Sequence, residues 1–209
     1  MATSANEEKL APASTKVSVL NCVDLSSPDI QTSVSLLKQA CLDSGFFYVI
    51  NHGISEEFMD EVFAQSKRFF DLPMEEKMKL LRNEKHRGYT PVLDEYLDPV
   101  NQINGDYKEG YYIGVEVPED DPEAEKPFYG PNVWPAADRV SEPAKGIYGA
   151  GAHSDFGFIT LLATDDVFGL QICKDKDAEP QMWEYIAPLK GAFIVNLADM
   201  LERWSNCIF

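Results

Sequence analysis

Residues 157–197 read GFITLLATDDVFGLQICKDKDAEPQMWEYIAPLKGAFIVNL, and this stretch decides the fold class. It consists of short runs rich in β-branched and aromatic residues, separated by turn residues such as Asp165-Asp166 and Lys190-Gly191. Closely spaced short runs of this kind are typical of an antiparallel sandwich or barrel. We therefore predict a series of strands, at 147–155, 156–163, 168–175, 182–188 and 191–197.

The first fifty residues combine strand and helix patterns. The runs VSVLNCVDL (17–25) and GFFYVIN (45–51) are β-branched and aromatic, which predicts two strands. Between them, apolar residues recur at helical spacing. We predict that Ser27 caps this helix, that Pro28 is its first residue and that Gly45 ends it.

The next segment continues the helical pattern. A second helix is predicted from Ser55 to about Phe70, and a shorter one follows Pro73. Helices first and packed short strands later indicate an α+β fold, a jelly roll with an N-terminal helical cover. By region, we expect a disordered tail at 1–15, an N-terminal region at 16–135 and a partial jelly-roll domain at 136–209.

The composition argues against two classes of partner. With 18 basic and 35 acidic residues, the net charge is -17, which repels phosphate backbones and anionic lipid. We therefore expect neither nucleic acid nor a membrane surface as a partner. The four cysteines lie far apart without C-x-x-C spacing, and no stretch resembles a secretory signal or a transmembrane helix. This pattern predicts reduced thiols and a cytoplasmic location.

The segment GAHSDFG (151–157) carries a candidate metal pair. Residues i and i+2 of a strand point to the same face, so His153 and Asp155 would aim an imidazole and a carboxylate at one point. A second histidine from another strand would complete the facial triad of non-haem Fe(II) oxygenases. Taken alone, H-x-[DE] is a weak signal in so acidic a chain, where a surface pair is the commoner explanation.

The motifs that surround this pair occur in a specific order: GFFYVINHGI (45–54), FFDLP (69–73), RGYTP (87–91), KEGYYIG (108–114), PNVWP (131–135), GAHSDFGFITLLATD (151–165), GLQI (169–172), WEYIAPLKGAFIVNLAD (183–199) and MLERWSN (200–206). Together they resemble the plant and fungal Fe(II)- and 2-oxoglutarate-dependent dioxygenases, the isopenicillin N synthase-like group. The resemblance spans roughly residues 17–209, far more than a single motif covers.

The resemblance implies a double-stranded β-helix core, an Fe(II) site and 2-oxoglutarate as co-substrate. It also implies hydroxylation or desaturation of a small organic substrate, coupled to oxidative decarboxylation of 2-oxoglutarate, as in plant specialised metabolism. The family's H-x-D maps onto His153 and Asp155, which we expect to be the two metal ligands. Phe156 is expected either at the substrate pocket or in the core. No further catalytic residue and no cofactor-binding residue is assigned.

Two motifs of this family have no counterpart where they are expected. The distal histidine ligand normally lies about fifty to sixty residues beyond the H-x-D, but none of the 54 residues after Asp155 is a histidine. The Arg-x-Ser motif that binds the far carboxylate of 2-oxoglutarate follows that histidine in the family. Both are expected past Phe209. We therefore expect a chain truncated at its C-terminus, as a splice variant, truncated gene product or fragment, with weakened or absent oxygenase activity.

Two further departures lie within the chain. Only 17 residues separate Pro135 from His153, whereas family members place several dozen, mostly helical, residues there. We therefore expect an internally shortened chain and an incomplete core. The family's N-x-G-D turn reads NLAD at 196–199, and Ala198 would be strained if the family glycine has a positive φ.

The other two histidines are poor candidates for a third ligand. His52 lies in a turn after a buried strand, where the family has a structural histidine, and His86 lies in a polar loop. Water, a buffer molecule or a glutamate could fill the position, but the metal affinity should then fall.

Two alternatives to an active enzyme stay open from the sequence. One is a non-catalytic truncated isoform that acts as an interaction or regulatory module, and the other is a misfolded product. A jelly roll that stops early exposes a strand edge, so we expect self-association through that edge. Succinate release with 2-oxoglutarate would distinguish the enzyme, and chromatography would distinguish the module from the misfolded product.

Overall fold

The structure, a computed structural model, describes residues 17–98, 100, 102–135, 153–155, 157–175, 178–206 and 208. The chain forms two compact units, of which the first combines residues 1–56 with 155–209 and the second comprises residues 57–154. The first unit is therefore built from both ends of the sequence. The tail predicted at 1–15 and Phe156 lie outside the described residues, and the division predicted at 135/136 stays a prediction.

Short strands and four α-helices make up the regular structure of the described residues. In chain order these are β1 (Val17–Ser18), β2 (Cys22–Asp24), α1 (Ile30–Asp43), β3 (Phe46–Ile50), α2 (Glu56–Phe70), α3 (Met74–Met78), β4 (Gly88–Thr90), β5 (Gly110–Tyr112), a 3-10 helix (Pro122–Glu125), β6 (Ile159–Ala163), β7 (Gln171–Asp175), β8 (Met182–Ile186), β9 (Phe193–Leu197) and α4 (Asp199–Trp204). The strands predicted at 156–163, 168–175, 182–188 and 191–197 are thus confirmed, whereas α4 had not been predicted.

Two sheets form the first unit, with strand orders β1-β8-β7 and β2-β3-β9-β6. The pairs β7–β8, β3–β9 and β6–β9 are antiparallel, as expected. The pairs β1–β8 and β2–β3, which involve the N-terminal strands, are parallel. The reason for β2–β3 is local: α1 connects these two strands, and such a crossover returns the chain in the same direction.

Two hydrophobic clusters lie on opposite faces of the four-stranded sheet. Successive side chains of a strand point to opposite faces. Accordingly, Tyr48 belongs to one cluster and its neighbours Phe47 and Val49 to the other. The first cluster includes buried residues of the other sheet, namely Ile172 and Ile186. The second includes Ala40 of α1, so the helical cover predicted for the strands is confirmed.

The start of α1 differs from its prediction. The helix begins at Ile30 and its cap is Asp29, whose carboxylate accepts a hydrogen bond from the Thr32 amide at 3.1 Å. Ser27 lies before the cap, and its hydroxyl oxygen accepts a hydrogen bond from the Asp29 amide. The predicted end is confirmed: Gly45 has φ +69° and its amide donates to the Ala40 carbonyl, the usual role of a glycine after a helix.

A buried charged cluster ties α3 to the β4–β5 hairpin in the second unit. The Lys77 ammonium donates to the Glu109 carboxylate at 2.7 Å and to the Phe70 carbonyl at 2.9 Å. The Tyr89 hydroxyl donates to the same Glu109 oxygen at 2.6 Å, and Tyr89 is fully buried. Burial and this hydrogen bond raise the pKa of Tyr89 well above its ordinary value, so the phenol stays protonated.

The PNVWP motif of the second unit has a structural explanation. The Asn132 side chain accepts a hydrogen bond from the Gly114 amide and donates one to the Gly114 carbonyl, both at 2.9 Å. It therefore substitutes for one residue of a neighbouring strand. The indole of Trp134 donates to Glu116 at 3.3 Å, which attaches the same loop at a second point.

Candidate metal centre

The H-x-D segment precedes a strand and is not part of one. Residues 153–155 have no regular secondary structure, and β6 begins only at Ile159. The strand predicted at 147–155 is therefore wrong over its described part, and the same-face argument for His153 and Asp155 does not hold. His153 is exposed and belongs to the second unit, whereas Asp155 is half-buried and belongs to the first.

The carboxylate of Asp155 is held by a residue that the sequence reasoning had not singled out. The side-chain amide of Asn196, in β9, donates a hydrogen bond to Asp155 Oδ2 at 2.8 Å. The backbone carbonyl of Asp155 accepts a second hydrogen bond, from the Asp199 amide, also at 2.8 Å. Both donors come from the end of β9 and the start of α4, so one junction fixes both the main chain and the side chain of Asp155.

The same junction holds the residues that follow Asp155. The Ala198 amide donates to the Phe158 carbonyl at 3.0 Å, and the Met200 amide donates to the Gly157 carbonyl at 3.1 Å. The segment that leads into β6 is therefore attached through three main-chain amides and one side-chain amide. The sequence signal for this role was the NLAD motif at 196–199, which had been interpreted only as a turn.

Alanine at position 198 is not strained. Ala198 has φ −114° and ψ 167°, an extended conformation that any residue adopts. The condition under which strain was expected, a positive φ, is not met. Ala198 is also buried, which suits its methyl group.

The two other histidines have roles that do not involve a metal. His52 Nε2 lies 3.0 Å from the Gly191 carbonyl, and His52 Nδ1 accepts from the Ile54 amide at 3.2 Å. With both ring nitrogens engaged by backbone groups, His52 is structural, as expected from its turn. His86 is exposed in its loop and its ring contacts Phe128.

The donor types at the H-x-D suit Fe(II), since imidazole nitrogen and carboxylate oxygen are both ligands of that ion. The half-buried, hydrogen-bonded carboxylate of Asp155 fits such a role better than a solvated surface carboxylate does. Within the residues that the structure describes, no group of three or more His, Cys, Asp or Glu side chains is arranged to hold a metal. Among the described residues, the side chains that suit Fe(II) are therefore those of His153 and Asp155.

Comparison with protein families decides the class. Residues 128–209 match the model of the 2OG-Fe(II) oxygenase superfamily. Residues 20–137 match a model described as the non-haem dioxygenase in morphine synthesis N-terminal region. The chain belongs to the 2OG-Fe(II) oxygenase superfamily. As a member, it is an Fe(II)- and 2-oxoglutarate-dependent oxygenase by family, with a small organic molecule as its substrate.

Two of the similar proteins come from plants of the genera Melia and Citrus. The chain is 45% identical to azadirone synthase LFS of Melia azedarach, a match that covers 91% of this chain and 75% of that protein. It is 43% identical to kihadalactone A synthase LFS of Citrus sinensis, over 91% and 74% respectively. The Melia match spans 249 residues, but 91% of 209 residues is only about 190, so roughly 60 residues of that relative have no counterpart here. This difference agrees with an internally shortened chain.

Solved structures show the fold. A full-length Neurospora crassa protein, crystallised in complex with alpha-KG and thymine, has a TM-score of 0.70 at 23% identity, covering 98% of this chain and 79% of that one. A putative 2OG-Fe(II) oxygenase family protein from Caulobacter crescentus has a TM-score of 0.69 at 22% identity, over 92% and 78%. The α+β prediction, a double-stranded β-helix core that is incomplete beneath an N-terminal helical cover, is thereby confirmed. No helix among the described residues is both long and apolar enough to cross a membrane.

Proposed function

We propose that His153 and Asp155 are the Fe(II) ligands of this oxygenase. The observation that carries the proposal is the Asp155 carboxylate, which is half-buried before β6 and hydrogen-bonded to Asn196 at 2.8 Å. A surface carboxylate has no need of such a fixed orientation, whereas the hydrogen bonding of ligating carboxylates is a general feature of metal sites. The engagement of His52 by backbone groups also leaves the H-x-D as the better-supported origin of an imidazole ligand.

In this assignment the side chains of His153 and Asp155 would hold the Fe(II) ion, and the oxidising chemistry would come from the bound ion and its co-substrates. Fe(II), once bound together with 2-oxoglutarate and dioxygen, provides the oxidising chemistry of the superfamily. Asp155 contributes one negative charge and His153 one neutral nitrogen donor. With these two protein ligands we expect weaker metal binding than at a three-ligand site.

The two plant relatives suggest the class of substrate. Their names record the formation of azadirone and of kihadalactone A. Because they are 45% and 43% identical to this chain over 91% of its length, we propose that its substrate is chemically related to the precursors of those two products. The test is 2-oxoglutarate-dependent conversion of those precursors, with succinate release measured in parallel.

Metal binding tests the ligand assignment before any turnover is needed. Mn(II) replaces Fe(II), since it does not oxidise during calorimetry, and it is titrated into the purified chain, His153→Ala and Asp155→Ala. We expect micromolar binding that is lost in both variants. His86→Asn is the matched control, since His86 is exposed, and asparagine tolerates its φ of +54°. Binding that survives His153→Ala, or that His86→Asn abolishes instead, would contradict the assignment.

A second candidate function is a module that associates with another copy of itself. Among the described residues, β6 is one of the two outer strands of its sheet, and its Ile159 and Leu161 are 54% and 60% exposed. Apolar strands at a sheet edge readily pair with another chain, and a two-fold axis would pair β6 with β6 of the second copy. Analytical ultracentrifugation of the chain and of Leu161→Lys tests this self-association. A dimer that dissociates in the variant supports the proposal, and a monomer in both proteins excludes it.

A further inference from the structure

We propose that Asn196 is a positioning residue, which orients the Asp155 carboxylate toward the metal. The inference rests on the proposed metal pair and concerns a residue that is not itself a ligand. The observation is the hydrogen bond of 2.8 Å between Asn196 Nδ2 and Asp155 Oδ2, which joins residues 41 positions apart. Because an ionised carboxylate only accepts hydrogen bonds, the NH2 end of the amide must be the end that faces it.

Asn196 is held on a rigid element. Its strand, β9, lies between β3 and β6, so Asn196 is paired with Phe46 on one side and with Thr160 on the other. The two preceding residues, Ile194 and Val195, are each 3% exposed. A donor on a strand that is paired on both sides and anchored in the core cannot follow a moving carboxylate. The carboxylate is therefore held in the orientation that the donor sets.

Asp155 is restrained at two points by the same junction. Its carbonyl accepts from the Asp199 amide at 2.8 Å while its side chain accepts from Asn196. Main-chain and side-chain restraints together limit rotation about the side-chain bonds of Asp155. A ligand that is already oriented loses less conformational freedom when a metal binds, so its metal affinity is higher.

The chain contains a matched hydrogen bond that has no metal role. The Asn51 side chain donates to Asp24 Oδ1 at 2.9 Å, also in the first unit, and this pair is solvent-exposed. Hydrogen bonds from Asn51 and Ser26 lower the pKa of Asp24. The Asn51–Asp24 pair is therefore an ordinary hydrogen bond between a side-chain amide and a carboxylate. Removing this bond controls for the general effect of losing an Asn–Asp hydrogen bond.

The experiment compares the purified chain with Asn196→Ala, Asn196→Leu and Asn51→Gly. Glycine suits position 51, where φ is +53°. Mn(II) affinity is measured by calorimetry, and the visible spectrum of bound Co(II) reports the ligand geometry. Thermal unfolding without metal shows whether each variant is folded. We expect both Asn196 variants to bind Mn(II) about 10- to 100-fold more weakly with an altered Co(II) spectrum, and Asn51→Gly to bind like the parent.

The outcomes distinguish this inference from the proposal on which it rests. If the parent binds Mn(II) through His153 and both Asn196 variants stay within twofold of it, only the positioning role is overturned. If the parent does not bind Mn(II), or binds it independently of His153, both are overturned. Leucine is close in size to asparagine, so an equal loss of affinity in the alanine and leucine variants assigns the effect to the amide rather than to a cavity. A loss confined to one of the two overturns the role.

Discussion

Removing Glu109 should expose how strongly the second unit depends on its buried charged cluster. The Lys77 side chain is 7% exposed and the Glu109 side chain 26% exposed. Glu109→Ala leaves the Lys77 ammonium with the Phe70 carbonyl as its hydrogen-bond acceptor, and it leaves the Tyr89 hydroxyl with the Met74 sulfur at 3.5 Å. Removing one partner of a buried ion pair costs about 3–5 kcal/mol of the free energy of unfolding.

The reverse substitution should cost less. Lys77→Met keeps most of the side-chain volume, and the remaining Glu109 carboxylate is partly hydrated and still accepts from Tyr89. The expected loss is about 1.5–3 kcal/mol, the value of a hydrogen bond to a charged group. The double variant should lose less than the sum of the two, with a coupling of about 1–3 kcal/mol.

Urea unfolding followed by Trp134 fluorescence measures these energies for the second unit. Trp183 and Trp204 are replaced by phenylalanine, so that Trp134 is the tryptophan that reports. Lys79→Met is the control, because Lys79 pairs with Glu76 at the same distance of 2.7 Å but is 65% exposed. It should change the free energy of unfolding by about 0.5 kcal/mol or less. A loss in Glu109→Ala no larger than in Lys79→Met, or strict additivity in the double variant, would refute the reasoning.

Three smaller predictions concern backbone conformation and pH. Ala198→Gly should lower the free energy of unfolding by about 0.5–1 kcal/mol, because its extended backbone gains nothing from glycine; stabilisation in urea would contradict this. Gly45→Ala should cost about 1–2 kcal/mol from its φ of +69°, since a Cβ would contact only Leu197 at 3.9 Å; a neutral result in the same assay would show that the turn relaxes. Burial and the hydrogen bond to Glu95 raise the pKa of Tyr112 to about 12. The stabilisation that protonated Tyr112 provides is therefore complete below its unfolded pKa of about 10, and it is lost as the pH rises from there toward 12. Over this pH range, Tyr112→Phe should lose less stability than the parent.

Local chemistry predicted the elements of this fold and the antiparallel pairing of its later strands, but not the parallel pairs. The aromatic and β-branched runs became β3 and β6 to β9, because such residues suit half-buried pleated strands. The cap of α1 was misplaced by two residues, because the choice between Ser27 and Asp29 depends on which side chain reaches the Thr32 amide. The parallel pairing of β1 with β8 depends on contacts between opposite ends of the sequence, which no local pattern records.

At the candidate site too, the sequence predicted the residues but not the contacts between distant segments. The family motifs identified His153 and Asp155 as residues, but the strand geometry assumed for them was wrong. Asn196 was visible as part of a motif, yet its hydrogen bond to Asp155 spans 41 positions and depends on how the β9–α4 junction meets the segment before β6. The pairing of β6 with β9 brings Asn196 close to Asp155, and no local sequence pattern records that these two strands are partners.

The interleaved first unit has a consequence for synthesis on the ribosome. Val17 pairs with Tyr185, which is translated 168 residues later, and Tyr48 pairs with Ile194. At a translation rate of about 5–20 residues per second, the first strands wait on the order of ten seconds or more for these partners. During that interval the apolar faces of β1 to β3 are without the strands that will cover them. We therefore expect the nascent chain to depend on chaperones, and its yield to improve when translation is fast relative to aggregation.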